Sequence, residues 1–179
     1  MRPSAEAGSG VWGGWVTIEI RPIQPQEHHT LGELTVEAYR ALDGAQLGAY
    51  ADELADVTAR ARAAEVLVAV EGGLVLGGVT FVPGPDNPYA EQLQEGEVGI
   101  RMLAVLPSAQ GKGVGRALSV ACIDRARDRR ARRVALHSTP WMKAAHRLYE
   151  SLGFVRAPER DLQVSPDVLL LSFVLGLDR

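Results

Sequence analysis

One cysteine, Cys122, stands in the 179 residues. A single thiol closes no intramolecular disulfide, so the fold must rest on its apolar core, and the chain suits a reducing compartment. The four histidines, His28, His29, His137 and His146, show no metal-ligand spacing, so no metal site is expected. No apolar run is long enough to cross a bilayer. The N-terminus has no basic start followed by an apolar block, so no export signal is expected and the cytoplasm is the default. Internal repeats are missing, and no break marks a second domain. What remains is one folded unit with a sizeable core over residues 15–179, preceded by a loose arm over residues 1–14, rich in Gly, Ala and Ser.

The net charge of −3 is mild, but its sign is uneven. From Asp43 to Glu97 there are ten acidic residues against Arg60 and Arg62; from Lys112 to Arg133 there are eight basic residues against Asp124 and Asp128. A basic loop and helix can attract phosphates of a cofactor or of nucleic acid. The patch is local and no nucleic-acid motif accompanies it, which disfavours nucleic acid. A solvated helix face accounts for several of these arginines.

Hydrophobic periodicity predicts a strand at 16–20, helices at 27–42 (closed near Gly44) and 47–64, and strands at 66–70 and 74–82 joined by a tight Glu71-Gly72-Gly73 turn. A long loop follows at 83–95, then a strand at 97–105. A helix at 114–129, a strand at 133–136, and a helix at 142–152 closed by Gly153 come next. Strands starting at Phe154 and spanning 168–174 end the chain. Cys122 falls mid-helix on the apolar stripe, where a core thiol is expected rather than a nucleophile.

The centre of this pattern is the stretch from Leu103 to Leu118, which runs strand, proline, glycine loop, helix. Such a loop aims backbone N–H groups at an anion, and the helix start adds the positive end of its dipole. A dinucleotide fingerprint fails, because Leu118 stands where its third glycine is needed. A nucleoside-triphosphate loop fails as well, because Gly113 follows Gly111-Lys112 where Ser or Thr would hold the metal. What remains is Gln110-x-x-Gly113-x-Gly115.

That loop, with the preceding Met102-Leu103-Ala104-Val105-x-Pro107, resembles the fourth strand and acyl-CoA pyrophosphate loop of the GNAT superfamily of N-acetyltransferases. Ala145-His146-Arg147-Leu148-Tyr149-Glu150-Ser151-Leu152-Gly153-Phe154 is similar to that family's Ala-x-x-Leu-Tyr-x-x-x-Gly-Phe ending. Met142 stands where the family often has Asn. The resemblance implies an α/β fold: a mixed, mostly antiparallel sheet of six to seven strands flanked by about four helices. It further implies acetyl-CoA as co-substrate, held by Leu103, Ala104, Val105, Gln110, Gly111, Lys112, Gly113, Val114, Gly115 and Arg116, and a primary amine as acceptor. Family members often dimerise, and no residue here fixes the oligomeric state.

Amine acetylation needs a deprotonated nitrogen, because an ammonium has no lone pair with which to attack. It also needs a donor for the thioester oxygen and a proton for the departing thiolate. By resemblance, the backbone N–H of Val105 serves the oxygen and Tyr149 supplies the proton. Glu97, opening the fourth strand, is the candidate base, directly or through water, with Glu95 close by. His137 either lines the cleft or caps the fifth strand, and Trp141 either bounds the acceptor pocket or packs. A catalytically quiet acyl-CoA-binding module is the alternative from another class.

Overall fold

The computed structural model describes residues 17–42 and 47–177. The expected arm over 1–14 and the helix end near Gly44 lie outside the described residues. The elements are β1 (Glu19–Pro22), α1 (His28–Arg40), α2 (Tyr50–Ala55), α3 (Val57–Ala63), β2 (Glu65–Glu71), β3 (Leu74–Val82) and β4 (Glu97–Val105). They continue as α4 (Val114–Asp128), β5 (Arg133–Ser138), α5 (Lys143–Ser151), β6 (Val155–Arg156), β7 (Leu162–Ser165) and β8 (Val168–Gly176). In the sheet they order β1-β2-β3-β4-β5-β8-β6, with β7 hydrogen-bonded to β8. Among the described strands only β4 and β5 run parallel; the other pairs are antiparallel. The mixed, mostly antiparallel α/β architecture agrees with expectation, with one more strand and one more helix than foreseen.

Strand periodicity divides the core between the two faces of the sheet. On β2, Val66, Val68 and Val70 pack with Leu31, Leu34 and Val57 from α1 and α3. The intervening Leu67 and Ala69 face the other way, toward Leu118, Cys122 and Ile123 of α4. Cys122 is fully buried and burial pushes its thiol up to about 12, which leaves it protonated and inert, as its place on the apolar stripe led one to expect. Among the described residues, no helix is long and apolar enough to cross a membrane.

The helix expected over 47–64 is two helices. Asp56 ends α2 with a non-helical ψ of 68° and caps α3, its carboxylate accepting from the Ala59 N–H at 2.9 Å. Arg60 locks this corner: fully buried, it donates to the Glu53 and Leu54 carbonyls of the last turn of α2, both at 2.8 Å. Gly32 of α1 lets the corner approach closely, since a Cβ there would meet the Ala55 carbonyl oxygen at 2.5 Å.

The feature that shapes the site lies in β4. Its parallel pairing with β5 runs from Glu97–Arg133 to Ile100–Leu136 and stops, although β4 continues to Val105. On the opposite side, Arg101 pairs with Thr80 and Ala104 with Gly78, so Met102 and Leu103 together face Val79. This is a bulge, and Met102 sits in it at φ +53°. A left-handed conformation costs an L residue about 1–3 kcal/mol, so the surrounding structure must impose it. The bend carries the second half of β4 away from β5 and opens a cleft in the sheet.

Replacing the capping Asp56 by Ala should lower the stability of the fold by about 1 kcal/mol in a chemical denaturation series. An unchanged midpoint would show that Arg60 alone holds the corner.

Candidate active site

The cleft begins with backbone direction. The Leu106 N–H donates to the Leu76 carbonyl on the β3 side at 2.8 Å. Amides alternate along a strand, so the Val105 N–H and C=O point to the opposite side, where β5 has left. The side-chain amide of Gln110 lies 3.5 Å from that Val105 carbonyl oxygen. After a single turn at Pro107–Ala109, Gly111 and Gly113 take φ of +77° and +83°. A Cβ on either would meet nothing within 4 Å, so glycine is needed for conformation rather than for space. Gly113 is the N-cap of α4, whose first amides lack intrahelical acceptors.

These groups border a cavity of about 480 Å³. All the residues expected to hold the cofactor line it except Lys112. Its other walls include Ala38 and Tyr39 of α1, Leu42 just beyond that helix, and residues 141–145 with Leu148, which lead into and along α5. Arg116 reaches across to donate to the Ser151 hydroxyl at 2.9 Å. Loop amides in the left-handed turn, a helix N-terminus and a long open slot match a phosphate-bearing ligand with an extended tail.

A second cavity of about 510 Å³ adjoins the first, and the two share Tyr39, Leu42, Trp141 and Met142. Its charged wall was not foreseen. Arg101 lies 2.6 Å from Glu91 and 3.8 Å from Glu53. His137 places Nδ1 3.5 Å from Glu91 and Nε2 3.3 Å from the Arg160 carbonyl oxygen. Burial works against the Glu91 charge, but the His137 hydrogen bond and the Arg101 guanidinium outweigh it and hold the carboxyl below its ordinary range. Tyr39 and Tyr50 meet edge-on at 6.3 Å, and burial pushes both phenols up. His137 and Trp141 both line this cavity. Glu91 sits in a loop without a motif, and only the length of that loop marked it.

Tyr149 lies in the core, 5% exposed, with its ring 5.8 Å from Phe154 and 6.1 Å from Phe173. It lines neither cavity, although Ala145 and Leu148 of the same helix line the first. Burial drives its phenol well above the ordinary value. His146 ties α5 to the end of β5, with Nε2 3.0 Å from the Thr139 carbonyl oxygen and 3.2 Å from the Ser138 hydroxyl. Among the described residues no group of His, Cys, Asp and Glu could hold a metal.

Glu97 is where the geometry departs from expectation. It is 3% exposed at the first position of β4, where β4 and β5 are still paired. Arg160 grips it through both guanidinium nitrogens at 2.9 and 2.7 Å, the Gln94 N–H donates at 2.9 Å, and Arg133 lies at 3.5 Å. It lines neither cavity, and seven strand residues lie between it and Val105, eight steps or roughly 26 Å at strand rise. Nor does Glu95 line either cavity; its carbonyl accepts from Arg132. The family resemblance suggested a base at this strand end, and in the structure Glu97 borders neither cavity.

Burial opposes the Glu97 charge, and the Arg160 and Gln94 hydrogen bonds overcome it, so its folded pKa lies below the unfolded one. The stabilisation is therefore complete above about pH 4.3 and is lost as pH falls through the folded pKa. Glu97→Gln should cost about 3–5 kcal/mol at neutral pH by leaving Arg160 unpaired, and the gap from wild type should narrow in acid. A gap that stays constant down to pH 2 would contradict the ion-pair account.

Residues 29–154 match the Acetyltransferase (GNAT) family. An uncharacterized N-acetyltransferase of Escherichia coli K12, YjgM, is 31% identical over 104 residues; the match covers 58% of this chain and spans 58% of the length of that relative. A GNAT-family protein from Desulfovibrio desulfuricans superposes with a TM-score of 0.71 at 20% identity, covering 89% of this chain and 99% of the other. The protein yncA of Salmonella typhimurium, solved with its cofactor acetyl-CoA, gives a TM-score of 0.64 at 25% identity over 91% and 95% of the two chains. With β4 splayed from β5, a glycine loop at the cleft and this match across its middle, the chain belongs to the GNAT acetyltransferase family.

Proposed function

We propose that the protein is an N-acetyltransferase that passes the acetyl group of acetyl-CoA directly to a primary amine in a ternary complex. The observation that carries this reading is the junction of the two cavities: a slot edged by the glycine loop opens onto a separate charged chamber, with Tyr39 and Met142 at the shared wall. Two substrates can then meet without a covalent enzyme intermediate, and no free nucleophile is needed from the protein. Cys122, the one thiol, is buried.

In this reading the amides of residues 110–115 and the start of α4 hold the pyrophosphate. The Val105 N–H faces the acetyl oxygen and strengthens its hydrogen bond as charge develops there. The acceptor ammonium gives up a proton within the charged chamber, where Glu91 and His137 stand; Glu97 keeps a structural role. The freed nitrogen attacks the thioester carbon and the C–N bond forms; the adduct collapses as the C–S bond breaks, Tyr149 protonates the departing thiolate, and the second proton shed by the nitrogen restores the phenol through solvent. Burial holds the proton on the phenol at neutral pH and also makes it a weaker donor, so the role requires Tyr149 to meet the sulfur when acetyl-CoA is bound.

The seat of Tyr149 in the core favours the second reading, a quiet acyl-CoA-binding module. One assay separates the two. Amine-dependent release of free CoA thiol is expected from wild type, with kcat reduced about 100-fold in Tyr149→Phe and acetyl-CoA affinity unchanged. An unaltered kcat removes Tyr149 from the chemistry, and binding of acetyl-CoA without amine-dependent thiol release favours the module.

A further inference from the structure

The charged chamber carries information about what it accepts, an inference that rests on the acetyltransferase reading. Among the described residues, every basic side chain on its wall is already engaged. Arg101, 15% exposed, has Glu91 on one side and Glu53 on the other, with the Tyr89 carbonyl at 3.5 Å. His137 is bracketed by Glu91 and the Arg160 carbonyl. The neighbouring Arg160 is committed to Glu97, and Arg60 to the end of α2. Among the described residues no guanidinium on this wall is left to pair with a carboxylate on an incoming substrate.

The anions are less fully used. Glu53 is 44% exposed and held only loosely, 3.8 Å from Arg101, so its oxygens remain open to an arriving ammonium. The Thr139 hydroxyl is buried in the same wall with no hydrogen-bond partner among the described residues, so it too can meet a polar group of the ligand. Facing these groups is an apolar wall: Leu47, Trp141 and, from the β7–β8 hairpin, Val164, Val168 and Leu170. The volume falls within the range of small-molecule sites.

We propose that the acceptor is a small primary amine on an apolar or aromatic body, with no carboxylate beside the amine. Glu53 and Glu91 receive its ammonium, and Trp141 with the β7–β8 hairpin covers its body. An α-amino acid with the same side chain brings a carboxylate against Glu53 and Glu91 with no free cation among the described wall residues to meet it. Like charges so juxtaposed reduce recognition on the order of 100-fold.

The test pairs substrates on the wild-type protein, so that no variant need fold. Thiol release is followed with acetyl-CoA and phenethylamine, tryptamine, phenylalanine, tryptophan or an alanine-headed tetrapeptide, while calorimetry measures acetyl-CoA binding separately. The expected result is a kcat/KM for each amine about 100-fold above that of its amino acid. Glu53→Gln should raise KM for phenethylamine about 10-fold, as loss of a charged partner does, with KM for acetyl-CoA unchanged. Preference for the amino acids or the peptide overturns the assignment of acceptor class and leaves the acetyltransferase reading standing. Acetyl-CoA binding with no thiol release from any acceptor overturns the acetyltransferase reading, and this inference with it.

Discussion

The separation of β4 from β5 governs the rest of the molecule. A parallel pair of strands would normally satisfy the inner edge of β4 along its whole length, but the Met102 bulge ends that after Ile100. From there β4 presents amides and carbonyls to open space on one side while keeping β3 on the other. A backbone edge so placed is a rigid set of donors, positioned by the sheet and needing no side chain to move. The loop that follows must turn sharply to deliver α4 back against the sheet, and Gly111 and Gly113 accept the left-handed conformations that turn requires. Cleft, edge and cradle are thus consequences of one local irregularity.

Environment sorts residues of the same type into different tasks. Glu97 and Glu91 are six positions apart, and both are held ionised against burial, Glu91 by the His137 hydrogen bond and Arg101, Glu97 by Arg160 and the Gln94 N–H. Glu97 is sealed between Arg160 and Arg133, where it fastens the start of β4 to the segment before β7. Glu91, carried on the long loop, opens into the chamber beside His137. A side chain wholly enclosed by its counter-charges can stabilise a fold but has no route to a substrate, whereas one at a cavity wall can exchange one partner for another.

What was legible in the sequence follows the same physics. The glycine loop and the start of α4 could be read because a left-handed turn before a helix restricts residue type locally. The strand assignments for β2, β3 and β4 held because burial on one or both faces imposes a period. The corner at Asp56 was hidden because the apolar spacing continues across it while the helix does not. β7 escaped notice because the segment around it, between Pro158 and Pro166, carries the marks of a loop, and only pairing with β8 makes it a strand. The charged chamber was beyond reach: Glu53, Glu91, Arg101 and His137 come from four separate elements, and nothing local says that they meet. The ion pair of Glu97 was hidden for the same reason, since its partner Arg160 is 63 residues away.

The central claim is that β4 and the glycine loop together form one site for an extended, phosphate-bearing thioester. A crystal structure of the protein with acetyl-CoA addresses it most directly. The account predicts pyrophosphate oxygens within about 3 Å of backbone amides in residues 110–115, and the acetyl oxygen at the same distance from the Val105 N–H. An acetyl group lodged away from β4, or a pyrophosphate bound elsewhere than the start of α4, would contradict it.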